Sequence, residues 1–366
     1  MQMVLALILF LVILIALVYY LFILVRRTLR LVWPTASSKK RRIMTLILTV
    51  LLIAPIFDFT NPWLIVILHI AAFALLCDLF YMLTKKWHTE RLRKLHHSNV
   101  LPIFLTIVTL IYGYYNMHHV IQTNYTVETT KPIRDEGYKI AFISDLHMGL
   151  TLDRAALTEA VHRVNRAKPD IVVLGGDLVD ERTTQAEMET AFDVLGKLQS
   201  TYGTYYVYGN HDESKYLKES ERNYTKAELD QAITKNNIRI LDDTTAKITD
   251  DFTLIGRKDI SLAPRQDLSA LLTDVKDTNF LFVADHQPVD VDENKSLNID
   301  LLMSGHTHGG QIWPGGLLIK LMGTVSYGYR SYDHLQQIVS SGIAGWGYPI
   351  RTEKHAEYVI VDVKRK

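Results

Sequence analysis

Residues 139–147 read KIAFISDLH, an apolar run rich in β-branched side chains that ends in an aspartate and a histidine. Residues 170–178, DIVVLGGDL, repeat the design, with an aspartate placed behind two glycines. Short apolar runs bounded by Gly and Asp predict strands buried on both faces. A helical pattern over about 152–167 lies between them. A strand, a helix and a strand of that length predict a parallel crossover, and with it an α/β domain. A third strand, TYYVYGNHD at 204–212, follows the helix-like TTQAEMETAFDVLGKLQ. Further strands are expected at about 237–241, 246–257, 279–284, 299–304, 336–341 and 357–363.

The polar residues that follow these strands suggest the chemistry. Asp145 and His147 follow the first strand, Asp177 the second, Asn210 and His211 the third, His286 a later one, and His306 and His308 another. In an open α/β sheet, loops beyond the carboxyl ends of the strands converge on one crevice. The Asp-x-His and His-x-His spacings are expected to work because side chains at i and i+2 project to one side of an extended segment. Glycines in GGD, GNHD and GHTHGG suit sharp turns and close backbone approach. Each motif alone is weak, since a lone histidine is more often a satisfied structural residue. The weight lies in their order and in their common place at strand ends. Oxygen and nitrogen donors without thiolate suit manganese, iron or zinc better than copper(I) or calcium.

With DLH at 145–147, GD at 176–177, GNHD at 209–212, a lone histidine in DHQP at 285–288 and GHTH at 305–308, the chain from about residue 138 onward resembles the calcineurin-like metallophosphoesterases. Its apolar first third is more loosely similar to their membrane-anchored bacterial members. The resemblance implies a four-layer α-β-β-α sandwich and two divalent ions, manganese foremost with iron or zinc as alternatives. Asp145, His147, Asp177 and His308 would hold the first ion, and Asp177, Asn210, His286 and His306 the second, with Asp177 bridging. His211, oriented by Asp212, would lie over the substrate phosphate as the catalytic pair. The implied reaction is hydrolysis of phosphoester or pyrophosphate bonds by a hydroxide between the metals. The glycine-rich SSGIAGWGYPIR at 340–351 is similar to a loop of the same branch. Arg351 at its end is a candidate for neutralising substrate phosphate, with a structural ion pair as the alternative.

The first third has another character. Apolar runs at about 3–25, 43–57, 62–84 and 99–120 predict about four membrane-spanning helices, since a helix needs about 20 residues to cross. Basic residues cluster after the first run (Arg26, Arg27, Arg30, Lys39, Lys40, Arg41, Arg42) and after the third (Lys85, Lys86, Arg91, Arg93, Lys94). The DFTNP turn between the second and third runs has none. That alternation places both basic loops in the cytoplasm and everything after residue 120 outside it. Residues 121–137 read as a linker and 138–366 as the phosphoesterase domain. Asp78 is either an intramembrane functional charge or a carboxylate at the interface. The pairs His96–His97 and His118–His119 sit on helices, where neighbours diverge, and are not read as metal sites.

Composition narrows the remaining choices. A chain of 366 residues with 48% hydrophobic content has ample core, and a net charge of +1 gives no general attraction to nucleic acid. The single cysteine, Cys77, lies in an apolar run, so no disulfide framework exists within the chain. The stretch IWPGGLLIKLMG at 312–323 is either core or a loop resting on the membrane interface, with Trp313 as a contact to a lipid-linked phosphate or pyrophosphate. Two other functional classes stay open: a membrane sensor or scaffold that binds a phosphorylated ligand without cleaving it, and a transporter with an accessory domain.

Overall fold

Long apolar runs become helices, and the first third is built largely of them. A computed structural model describes residues 2–57, 61–262 and 264–366; residues 58–60, most of the DFTNP turn, lie outside the described residues. The chain divides into two units, Met1–Tyr112 and Gly113–Lys366. The first holds α1 (Gln2–Val32), α2 (Ser38–Ile53), α3 (Trp63–Thr84), α4 (Glu90–Ser98) and the start of α5 (Val100–His118). Ser37 caps α2 by accepting from the Lys40 N–H, and Thr89 caps α4 by accepting from Leu92.

Three helical segments, Leu11–Val32, Trp63–Thr84 and Val100–His118, are long and apolar enough to cross a membrane, by length and composition. The second run, expected at 43–57, folds as α2, which has 16 residues and carries Lys39, Lys40, Arg41 and Arg42 at its start. Asp78 on α3 accepts a hydrogen bond from Tyr20 at 2.7 Å, pairs with Arg27, and meets His96 at 2.7 Å. This carboxylate is therefore matched by partners from α1 and α4.

The second unit contains two six-stranded sheets. The first runs β1-β12-β2-β3-β4-β5, with β1 Ile121–Thr129, β2 Tyr138–Ile143, β3 Ile171–Leu174, β4 Thr204–Tyr206, β5 Ile238–Ile240 and β12 Glu357–Arg365. The second runs β10-β11-β9-β8-β7-β6, with β6 Thr244–Lys247, β7 Phe252–Gly256, β8 Phe280–Ala284, β9 Leu301–Ser304, β10 Gly328–Tyr332 and β11 Leu335–Val339. Strands β2 to β5 are parallel, joined through α6 (Arg154–Arg166), α7 (Gln185–Leu195) and α8 (Lys226–Thr234), as the strand, helix, strand pattern predicts.

Alternation along each strand explains the layers. Ile140 and Phe142 of β2 join Leu254, Phe280, Phe282, Leu301 and Met303 of the other sheet in one core, while Ala141 and Ile143 face α6 and α7 in another. On the far side, Ile255, Leu281, Val283 and Leu302 pack with Leu268 of α9 (Leu268–Leu271), and Val291 of α10 (Val291–Ser296) lies against them. Helices thus cover both outer faces of a double sheet, the expected four-layer sandwich.

Three stretches differ from expectation. The linker at 121–137 contains β1, an edge strand in which Gln122, Asn124, Thr126 and Glu128 are exposed. Its polar half disguised the period. The single strand expected at 246–257 is instead the end of β6, a turn and the antiparallel β7, the turn closed by Ile248 N–H donating to Phe252 O at 3.0 Å. Within 312–323 the chain forms α11 (Gly315–Leu321), a short helix that the glycines concealed.

Candidate metal centre

Parallel strands aim their carboxyl ends one way, and here both sheets contribute. Asp145 N–H donates to Gly176 O at 2.9 Å, His147 N–H to Asp177 O at 3.1 Å, and Gly305 N–H to His286 O at 2.9 Å, so the loops after β2, β3, β8 and β9 are tied pairwise. Two donor groups result: Asp145, His147 and His308 in one, and Asp177, His286 and His306 in the other, with the donor atoms of each within 4.8 Å of one another.

Asp177, a member of the second group, also approaches the first. Its Oδ2 lies 3.0 Å from His286 Nε2 and 3.9 Å from His147 Nε2, while Oδ1 accepts from the His211 N–H at 2.8 Å. Asn210 is buried, and its Oδ1 has no hydrogen-bond partner. The same holds for Asp145 Oδ2 and His147 Nε2. Buried polar atoms left unmatched are costly, and unmatched atoms on these residues fit a site for divalent ions. The imidazoles are also turned as ligands are. His286 Nδ1 faces Gly175 O at 2.8 Å, His308 Nδ1 faces Ala344 O at 3.4 Å, and His147 Nδ1 lies 3.2 Å from Asp180 Oδ2.

The spacing argument for these residues is corrected by their backbone. Asp145 (φ 57), His147 (φ 42), Asp177 (φ 52), His306 (φ 69) and His308 (φ 49) all lie in the left-handed region. Asp145 with His147, and His306 with His308, therefore do not alternate along extended segments. Asp145 and His147 meet in one donor group, while His306 and His308 part into different ones, from a curled backbone that non-glycine residues adopt at a cost. Gly305 serves close approach: a Cβ there would lie 2.3 Å from Asp145 Oδ2 and 2.5 Å from Ser144 Oγ. A Cβ on Gly176 (φ +87) would lie 2.5 Å from Gly209 N.

Charge states follow from burial and neighbours. Burial, with the charge of His286, pushes His306 down to about 4. Burial, His147 and Arg351 hold His308 well below the usual imidazole range. Both are held neutral, the form that a metal ligand requires. Burial alone would raise Asp177, yet the charge and hydrogen bond of His286 hold it well below the carboxylate range. In return Asp177 outweighs burial and raises His286 well above the imidazole range. An ion bound there would take the place of that proton.

Three expected roles change. His211 is oriented by Glu181, not by Asp212: its Nδ1 lies 2.9 Å from Glu181 Oε2 and 3.1 Å from Oε1. Burial would lower His211, but the hydrogen bond and charge of Glu181, with Asp177, raise it overall. Asp212 is fully buried and accepts four main-chain N–H groups, from Asp177 (2.8 Å), Leu178 (2.9 Å), Val179 (3.2 Å) and Gly209 (2.6 Å). It clamps the GGD loop to the GNHD loop. Arg351 is fully buried and donates to His308 O at 2.7 Å and Ala344 O at 2.5 Å, so it braces the GHTH loop; it is not open to substrate, and among the described residues it has no ion-pair partner. Trp313 is exposed on the loop leading into α11.

Four residues escaped the sequence reading. Asp180 and Glu181, three and four positions after Asp177, support His147 and His211. Tyr216 and Trp346 have ring centroids 5.1 Å and 5.3 Å from His211. With Arg182 they line a cavity of about 500 Å³ that opens on His211. The carboxylates in GDLVDE were a usable signal; for the aromatics there was none beyond their type.

Residues 138–310 match the family described as calcineurin-like phosphoesterase. A Campylobacter jejuni protein described as an uncharacterized metallophosphoesterase is 28% identical over 275 residues, covering 73% of this chain and 70% of that one. A Helicobacter pylori protein of the same description is 35% identical over 219 residues, covering 59% and 57%. A Danio rerio transmembrane protein with a metallophosphoesterase domain is 26% identical over 289 residues, covering 73% and 63%. The matches to the latter two thus span less than two thirds of their lengths.

Proposed function

The chain carries a calcineurin-like metallophosphoesterase domain behind apolar helices, and from this premise we propose that it is a membrane-anchored hydrolase of phosphoester or pyrophosphate bonds that works with two divalent ions. The observation that carries the reading is the pair of donor groups, with unmatched buried atoms on Asp145, His147 and Asn210. Two divalent ions, when bound, would withdraw charge from a phosphoryl group and bring the pKa of a water toward neutrality. The oxygen and nitrogen donors suit manganese, with iron or zinc as alternatives.

The chain's own residues supply the rest. Glu181 holds Nδ1 of His211 and favours its protonated form, which leaves Nε2 to donate a proton to the departing oxygen. Such general acid catalysis contributes about 10²–10⁴ in rate. Tyr216 and Trp346 flank His211 and would position the leaving group. Asp212 and Arg351 act on the main chain of the ligand loops and preserve their shape.

The substrate class is lipid-linked in this reading. Trp313 and, on α11, Leu317, Leu318 and Leu321 are all exposed, with Met322 just beyond, directly after the GHTH loop. An apolar patch of this kind on a domain linked to membrane helices suits the bilayer interface. The alternation of basic loops favours a multi-pass chain with the domain outside the cytoplasm. That topology requires the second run to cross, and α2 is extended by a 3₁₀ turn at Ala54–Phe57.

The test is turnover of a chromogenic phosphodiester by the purified full chain with manganese, beside Asp177→Asn and His211→Ala. Metal-dependent turnover lost in both variants supports a hydrolase; stoichiometric metal with no turnover in the parent supports a phospholigand-binding scaffold. The lipid reading fails if soluble diesters turn over as fast as micellar lipid phosphates and Trp313→Ala leaves the latter unchanged.

A further inference from the structure

Arg26 and Arg27 are neighbours on α1 and therefore point to different sides of it. Arg27 turns inward to Asp78 and Asn99. Arg26 takes the other side, in register with Phe22 and Arg30 at i−4 and i+4. On α2, Lys39, Arg42, Ile43 and Leu46 repeat at three- and four-residue spacing and form one face. Between the two stripes lies a groove of about 790 Å³, with Arg26, Arg30, Lys39, Arg41 and Arg42 as its cations and Phe22, Ile43 and Leu46 as its apolar lining.

No carboxylate lines this groove. The acids before residue 113 are Asp58, Asp78 and Glu90. Asp78 is taken by Arg27 and His96, and Glu90 by Arg93 at 2.6 Å. Among the described residues none of the five cations has an ion-pair partner; Arg41 only donates to Trp33 O and Pro34 O. The first turn of α2 also contains no acid, so its cations crowd the positive end of the helix. Concentrated positive charge beside an apolar wall is complementary to one chemistry, an anionic head joined to a hydrocarbon chain.

We propose that the α1–α2 groove binds an anionic phospholipid, its phosphate among Arg26, Arg30, Lys39 and Arg42 and an acyl chain along Phe22, Ile43 and Leu46. This is a holding site in the first unit, independent of the phosphoesterase reading.

The full chain in neutral detergent micelles is titrated with short-chain phosphatidylglycerol, with phosphatidylcholine of the same chain length, and with inorganic phosphate, and thermal unfolding is followed. Phosphatidylglycerol should raise the Tm saturably, at a half-saturating concentration at least about tenfold below that of phosphatidylcholine, since each cation near an anionic headgroup contributes several-fold. The Arg26→Gln/Arg30→Gln/Arg42→Gln protein should lose at least about tenfold of that affinity, while Lys86→Gln/Arg91→Gln/Lys94→Gln should keep it. Leu46→Trp, which retains every charge and fills the apolar side, should weaken binding too, and carries the test if the triple variant does not fold. An equal response to both lipids, an equal loss in the two triple variants, full affinity in Leu46→Trp, or saturation by inorganic phosphate at the same concentration would overturn the proposal.

Discussion

Replacing Asp212 by asparagine separates two roles for a buried acid beside the candidate catalytic histidine. Each carboxylate oxygen accepts two main-chain N–H groups: Oδ2 from Asp177 and Gly209, Oδ1 from Leu178 and Val179. Asparagine has one carbonyl oxygen, so two of the four donors would face an amide NH₂ in a site without solvent. A buried donor left unmatched costs about 1–3 kcal/mol, which puts the loss at about 2–6 kcal/mol. For a unit of this size that corresponds to roughly 5–20 °C in Tm. The metal should bind more weakly as well, because Asp177 sits on one of the two loops that Asp212 clamps. Thermal unfolding with and without manganese reads both effects. A variant with unchanged Tm and metal affinity but a displaced pH–rate profile would refute this reasoning and return Asp212 to the role of orienting His211.

Glu181→Gln tests the complementary role. Glu181 raises His211 against the effect of burial, so its loss should move the basic limb of the pH–rate profile to lower pH while Tm and metal affinity stay near the parent values. Arg351→Met should destabilise the fold by about 2–6 kcal/mol, read as a lowered Tm, because His308 O and Ala344 O lose buried donors. KM at saturating metal should not change; a raised KM with an unchanged Tm would restore Arg351 as a substrate contact. Burial would raise Glu357, but His355, Thr123 and the Ser341 N–H outweigh it and hold the carboxyl below its usual value. The stability it contributes is present above the ordinary glutamate pKa of about 4.3 and is lost as pH falls through the depressed folded value. Glu357→Gln should therefore flatten the fall in Tm on acidification below about pH 5.

Strands β2, β3, β8 and β9 were legible because burial on both faces leaves them as unbroken apolar runs. Their loop residues were legible because Asp145, Asp177, His286, His306 and His308 each follow such a run. How these side chains converge was not, since spacing implied extended segments where the backbone is left-handed at five ligand candidates. The partner of His211 was misassigned for a related reason. Asp212 is next in sequence, but adjacent side chains diverge, and Glu181 arrives from another loop at 2.9 Å. Arginine at the end of a glycine-rich loop looked like an anion contact, and only its complete burial against main-chain carbonyls assigns Arg351 to bracing. Edge strand β1 was hidden by the polar face that every edge presents.

The proposal that two ions sit in the two donor groups, with Asp177 reaching both, is tested most directly by counting metal. Purified full-length protein, stripped with chelator and titrated with manganese, should bind two ions per chain. His308→Ala and His286→Ala should each retain one ion, and Asp177→Asn should weaken both. A single ion per chain, or two ions that survive loss of Asp177 with unchanged affinity, would contradict the account.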